Sequence, residues 1–341
     1  MSIFYSEIKR QPAALRKCLA AYAENNFYLI RKAAEMIAAA PAVVMTGMGT
    51  SYHTGLCALK GIAKARRVFA VQAYQLLQDE CAGICDDDLL LLISQSGESG
   101  EIKELCRRRK GKNTIIGITN HMESGLANAA NLVLPLYSPV EKTITNSTFT
   151  ATMAVLQMLS AWVNGISPTV VAEELEKASF EAERFLASEE KVFALADRVD
   201  AQNHIHFLGR SSLEMSLAKQ ASLIFQEGAR INAHSFSVGS FRHGPIELCG
   251  KNHAAFMYIS DEESCRAMKK LSDCMRMNGS QVIPISNRAI TGEAIAVQAE
   301  SPEGFAVVAA ILTEMLLVRF AQNNGKEAGI FTIAEKVCRE I

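Results

Sequence analysis

The sequence predicts an α/β protein built from two tandem copies of one unit, each a mostly parallel sheet flanked by helices. Three observations carry this. Short apolar runs alternate with helical patterns in both halves, as parallel strands joined by crossover helices require. The pattern then repeats. Residues 42–65 read as strand, tight turn and helix (AVVMTG, MGTS, YHTGLCALKGIAKA), and residues 204–228 do the same (HIHFLGR, SS, LEMSLAKQASLIFQEG). Finally, residues 88–120 read as strand, loop, helix and strand, and residues 254–287 follow them to matching ends, Ile118-Thr119-Asn120 and Ile285-Ser286-Asn287.

In chain order, residues 1–24 predict an N-terminal helix running from about Ser6 to Ala20, with Pro12 near its start. Residues 25–165 form the first α/β unit. The charged stretch 166–194 reads as a connecting helix pair rather than a loose linker, and 195–330 is the second unit. Residues 331–341 are a tail. The apolar stretch 305–320 carries Glu314 and Arg319, is short for a membrane span, and reads as a buried helix.

Bulk properties narrow the function. The 341 residues suit two domains. A net charge of -1 with 7% aromatic residues offers no basic, stacking groove for nucleic acid. The one dense basic run, Arg107-Arg108-Arg109-Lys110, ends a helical pattern and reads as a solvated last turn. Nine scattered cysteines imply reduced thiols and a cytoplasmic setting. Cys81 and Cys85 lack the second pair that a zinc site needs, so no metal is expected. The start MSIFYSEIKRQ lacks a signal-peptide core, and no membrane association is expected.

Ligands of parallel sheets bind in the loops at the carboxyl ends of strands. After the first strand comes Gly47-Met48-Gly49-Thr50-Ser51, and after the next apolar strand Ser94-Gln95-Ser96-Gly97-Glu98-Ser99. Glycines allow a tight turn, hydroxyls donate, and each following helix offers free N–H groups. Either loop alone could be plain helix capping. Together they read as a neutral, donor-rich anion site suited to a phosphomonoester. The second copy has Ser260-Asp261-Glu262-Glu263-Ser264 in the corresponding place, and three carboxylates there would repel a phosphate. Glu227 ends a helix, and His243 precedes the turn signal Gly244-Pro245. Near a sugar phosphate they could move protons on a carbonyl and its neighbour, or be a surface Glu and a turn His. His53 reads as a cap or a ligand contact, Cys57 as packing, and His204 and His206 as structural. Gly47-x-Gly49 lacks the third glycine of a dinucleotide loop, so no cofactor is expected.

Gly-x-Gly-Thr-Ser, Ser-Gln-Ser-Gly-Glu-Ser and Arg-His-Gly-Pro together resemble the sugar isomerase (SIS) domain superfamily. More closely, they resemble the double-SIS isomerase half of glutamine–fructose-6-phosphate aminotransferases and its free-standing relatives, the phosphosugar isomerases and fructosamine-6-phosphate deglycases. The similarity runs from Glu7-Ile8-x-x-Gln11-Pro12 to the tail, and implies a flavodoxin-like fold. The resemblance implies that Gly49, Thr50, Ser51, Ser94, Gln95, Ser96 and Ser99 hold the phosphate and sugar. It places Thr145 where the family has a substrate-contacting serine, and Glu227 on the glutamate that moves a proton between C1 and C2. It makes His243 the ring-opening histidine, supplied from a neighbouring subunit, and so implies a homodimer or higher homo-oligomer. Lys336, in Ile333-Ala334-Glu335-Lys336, resembles a tail lysine that reaches the sugar but is out of register by about one residue; a plain tail lysine is the other reading.

The departures steer the expected reaction. No cysteine nucleophile follows Met1, so glutamine-dependent amide transfer is not expected. Ile224 stands where the aminotransferases have a lysine one turn before the glutamate, and Met48 where they have a cysteine. The expectation is an isomerase or a deglycase/deaminase acting on an aminated or amino-linked hexose 6-phosphate, with a slight tilt to the latter. The alternative is a non-catalytic sugar-phosphate sensor. Such sensors carry a helix-turn-helix domain ahead of the fold, and retention of Glu227 favours an enzyme.

Overall fold

The structure, a computed structural model, describes residues 2–79, 81–199, 204–290, 294–333 and 335–338. It divides into two compact units. The first-sheet unit comprises Ala13–Val140, Ser147–Glu173 and Ile333–Ile341; the second-sheet unit comprises Met1–Pro12, Glu141–Asn146 and Glu174–Thr332. Of the predicted tail, Ala334 and residues 339–341 lie outside the described residues, as do 200–203 and 291–293 of the predicted second unit.

The chain opens with α1 (Ile3–Glu24) and α2 (Tyr28–Ala39). The sequence places Pro12 near the start of α1. In fact the helix begins at Ile3, so Pro12 stands in its interior, where it withholds one N–H from the ladder. Tight backbone turns and apolar runs then alternate: β1 (Ala42–Gly47), α3 (Thr50–Ala63), β2 (Arg67–Gln72), α4 (Ala73–Gln78), β3 (Leu89–Ile93), α5 (Gly100–Arg109), β4 (Thr114–Thr119), α6 (Gly125–Ala129), β5 (Leu132–Pro135) and α7 (Ser147–Val163). The strands pair in parallel in the order β2-β1-β3-β4-β5. Every residue of β1 and β3 is buried, because both faces of a parallel sheet are covered. One cover comes from α4, α5 and α6 through Ala73, Leu76, Ile102, Leu105 and Leu126. Helix α7 packs with α2 and with α3 as a further layer. Strand β2, at the sheet edge, shows alternating exposure instead.

Next come α8 (Pro168–Ala187) and α9 (Glu189–Ala196). The second sheet is formed by β6 (His204–Gly209), β7 (Ala233–Ser237), β8 (His253–Ile259), β9 (Gln281–Ser286) and β10 (Ile295–Ala296). Its helices are α10 (Ser212–Ile224), α11 (Val238–Phe241), α12 (Glu262–Met277) and α13 (Pro302–Asn323). The order β10-β9-β8-β6-β7 is that of the first sheet, with β6 and β8 in the places of β1 and β3. Pro284 replaces the Gly117 of β4. It has no N–H to give, and β10 pairs only from Ile285 onward. Helix α13 is buried nearly all round and is the core helix of its unit; it is also the one described helix long and apolar enough to cross a membrane.

Candidate active site

In the first-sheet unit both predicted loops fall at carboxyl ends of adjacent strands. After β1 the backbone turns at Gly49 (φ 48°), and Thr50 and Ser51 open α3, half-buried and with no internal partner for either hydroxyl among the described residues. Gly47 is required by crowding: a Cβ there would come within 2.8 Å of the Ile93 carbonyl oxygen and of the Ser51 side chain. After β3, Ser94 continues the ladder by donating its N–H to Ile118. Its Oγ accepts from the Gly97 N–H at 3.1 Å and lies 3.4 Å from Ser99 Oγ. Gly97 takes φ +64°, and any side chain there would run into Ser124. Ser96 Oγ accepts from the Glu98 N–H at 3.2 Å. No side chain caps either α3 or α5. Two helix N-termini thus lie at the ends of adjacent strands with no side-chain cap on their positive ends.

Glu98 would be the wrong charge for such a site, and the fold turns it away. Its Oε1 accepts from the Gly125 N–H at 2.6 Å and its Oε2 pairs with Lys103 at 3.6 Å. Gln95 contributes its carbonyl to Asn120 and Thr119, leaving its amide near His121 at 3.4 Å. The tail docks on the same loop: Gly100, first residue of α5, donates its N–H to the Cys338 carbonyl at 3.2 Å. Lys336 is half-buried two residues before that anchor.

The corresponding place in the second-sheet unit is already filled. Glu214, fully buried in the first turn of α10, accepts from the Arg210 N–H (2.9 Å) and the Ser211 N–H (3.0 Å) through Oε2. Its Oε1 accepts from both the N–H and the hydroxyl of Ser260, each at 2.8 Å. One internal carboxylate therefore satisfies the strand-end donors that a phosphate would need. The acidic loop itself is employed elsewhere: Asp261 caps α12 by accepting from Ser264, and Glu263 pairs with Arg210. Glu214, rather than the acidic loop, is what occupies these donors. The signal was legible as a Ser-x-x-Glu capping box, Ser211 to Glu214.

The second-sheet unit brings Glu227 and Thr145 into one neighbourhood. Glu227 is half-buried on a π-helical turn, Phe225–Ala229, that ends α10, and Arg230 closes it in the left-handed region (φ 55°). Such turns occur often at functional sites. Gly228, beside Glu227, packs against Ile144, beside Thr145. Gly329 joins the two segments, accepting from the Ile144 N–H and donating to the Gly228 carbonyl, each at 3.1 Å. The segment 141–146 is pinned from the other side by buried Glu7, which accepts from the Lys142 N–H (2.6 Å), the Thr143 hydroxyl and the Asn146 amide (3.1 Å). His243 is exposed, one residue before Gly244 (φ 132°) and the 3-10 turn Pro245–Leu248. His204 is exposed at the start of β6, while His206 is buried within it. Among the described residues, no group of three or more His, Cys, Asp or Glu is placed to hold a metal.

Residues 36–161 match the family profile described as SIS domain. Over 316 residues the chain is 27% identical to the glutamine–fructose-6-phosphate aminotransferase [isomerizing] of Aeropyrum pernix, covering 89% of this chain and 49% of that relative. The Sulfolobus acidocaldarius protein of the same name is 24% identical over 325 residues, 94% of this chain and 53% of its own. The chain thus spans about half the length of these curated relatives. Among solved structures, the C-terminal domain of glucosamine-fructose-6-phosphate aminotransferase from Francisella tularensis superposes with a TM-score of 0.86 at 22% identity, over 97% of this chain and 98% of that one. Tagatose-6-phosphate ketose/aldose isomerase from Escherichia coli gives 0.83 at 18%, over 98% and 97%. Glucosamine-6-phosphate deaminase from Thermotoga maritima gives 0.79 at 21%, over 98% and 99%. At these identities the structural likeness is one of fold. Residues 36–161 thus match the SIS domain profile, and the second sheet repeats the strand order of the first.

Proposed function

We propose that this protein is an enzyme acting on an aminated or amino-linked hexose 6-phosphate by proton transfer between C1 and C2. The observation that carries the proposal is the contrast between the two repeats. The first has a hydroxyl-lined pair of helix N-termini that no side chain caps, and in the second the Glu214 carboxylate occupies the strand-end donors. Thr50, Ser51, Ser94, Ser96 and Ser99 would bind the phosphate, with Gly49 shaping the turn and Gln95 turned to the sugar. Neutral donors and helix ends suit a dianion without a fixed cation.

Glu227 would take a proton from C1 or C2 of the open-chain sugar, giving an enediol or enamine, and return it to the neighbouring carbon. Its place on a π-turn and the Gly329-linked neighbourhood of Thr145 support the assignment. His243, exposed on its own unit, would assist ring opening from a second copy of the chain. If the amine stays, the reaction is isomerisation; if ammonia or an amino acid leaves, it is deamination or deglycation. Ile224 in place of the lysine expected from the resemblance favours the second pair. Lys336 would approach the sugar from the docked tail.

The test is NMR in heavy water with fructose, glucosamine, fructosamine and amino-acid-linked hexose 6-phosphates. The expected result is deuterium at C1 or C2 of at least one, with the released amine naming the reaction. Glu227→Gln should bind the same sugar and lose exchange by roughly 10²-fold or more. Full exchange in a folded Glu227→Gln protein would remove Glu227 from the mechanism.

A further inference from the structure

The matching strand ends Asn120 and Asn287 do different things. In the first sheet, Asn120 follows β4 and clamps one backbone residue: its Nδ2 donates to the Ser138 carbonyl at 2.9 Å and its Oδ1 accepts from the Ser138 N–H at 3.0 Å. In the second sheet, Asn287 follows β9 in the same position. The registers agree, since Leu136 donates to Thr119 in one sheet and Val297 donates to Ser286 in the other. Ala299 is therefore the counterpart of Ser138. Yet Oδ1 and Nδ2 of Asn287 are both buried, and neither has a hydrogen-bond partner among the described residues.

The cause lies in the intervening residue. Tyr137 takes the left-handed region (φ 51°) and brings Ser138 back over Asn120. Its counterpart Gln298 is drawn off instead, donating its N–H to the Glu181 carboxylate of α8 at 3.0 Å. A cleft of about 680 Å³ opens there, lined by Asn287, Ala299, Arg288, Lys177, Phe180 and Glu181 among others, wholly within the second-sheet unit. A buried amide with neither atom satisfied is costly, and Asn287 lies in the wall of a space large enough for a ligand.

We propose that this cleft binds a ligand presenting a nitrogen donor and a carbonyl or carboxylate oxygen across a single α-carbon, which is a free α-amino acid or one residue of an extended peptide. The first repeat shows what the asparagine accepts, because Ser138 offers that N–Cα–C=O unit. The lining suits either source. Arg288 is exposed, with no ion pair among the described residues, and can meet a carboxylate. Glu174 and Glu300, which hold Lys177 at 3.7 and 2.8 Å, can meet an ammonium. Exposed Phe180 offers a flat apolar wall. This site is independent of the phosphosugar reading and stands or falls without it.

The experiment is thermal-shift and NMR titration of the full chain with glycine, L-alanine, L-glutamate and N-acetyl-L-alanine amide, repeated on Asn287→Leu. Leucine removes both polar atoms at similar volume, so the variant should melt at or above the wild-type temperature. The expected result is saturable binding of at least one probe by the wild type and at least about tenfold weaker binding by the variant. Binding of the free amino acids alone names them as the source; binding of the blocked amide names a peptide segment. No saturable binding of any probe in the millimolar range overturns the proposal. So does equal binding by Asn287→Leu, or a soaked crystal showing only water on Asn287.

Discussion

A single residue, Glu214, sets two similar turns apart. It stands in the first turn of its helix, and its carboxylate reaches three backbone N–H groups and a hydroxyl at 2.8–3.0 Å. The first repeat has Tyr52 at the corresponding place and so no carboxylate there. Glu214→Ala should leave those buried donors without an acceptor and cost about 3 kcal/mol, read as a fall in melting temperature. Inorganic phosphate should restore part of that loss by replacing the missing anion. An unchanged melting temperature would show that the carboxylate contributes little. Glu98 makes the complementary point: its charge is removed from the cradle by the Gly125 N–H, a contact with a residue 27 positions away.

Between elements, strands β6 and β8 are joined by a buried histidine pair. His206 Nδ1 lies 2.7 Å from His253 Nε2, and His253 Nδ1 is 3.0 Å from Ser280 Oγ. Phe236 and Phe241 pack on His206, and His204 and His234 are the other histidines near it. Burial first, and then these neighbouring histidines, push His206 down to about 4; burial and His204 push His253 down to about 4. The unfolded chain takes up these protons near 6.5 and the folded chain only near 4. Stability should therefore be retained above about pH 6.5 and fall as the pH drops towards 4. Urea midpoints at about pH 7.5 and about pH 5 check this, and a His206→Phe/His253→Phe double variant should show a shallower acid loss. An equal acid loss in that variant would assign it to other groups. Glu314 on α13 acts in the opposite sense. Burial raises its carboxyl well above the usual range, so its contribution is present at low pH and is lost as pH rises through that raised value.

At the scale of the molecule, one α/β unit appears twice with two fates. The repeat was legible because its signals are local: strand-end glycines, hydroxyl-rich turns and helical periodicity lie within a few residues of one another. The two parallel sheets follow from that pattern. Pro12 was placed wrongly because helix starts are weakly marked, and Ile3 begins α1 without an acidic first turn. The state of Asn287 was not legible at all, since it depends on Glu181, over a hundred positions away, drawing off Gln298. Nor was the link between Glu227 and Thr145, which runs through Gly329. Such contacts depend on how distant segments are brought together, and a window of sequence does not contain them.

On the reading proposed above, the first repeat, and not the second, holds the sugar phosphate. The most direct measurement is the affinity of fructose 6-phosphate, by calorimetry, for the wild type, Ser96→Asp and Ser260→Asp. Ser96→Asp, folded by circular dichroism, should bind at least about 100-fold more weakly because a carboxylate then faces the phosphate, while folded Ser260→Asp should bind as the wild type does. Unchanged affinity in Ser96→Asp would place the phosphate elsewhere and contradict it.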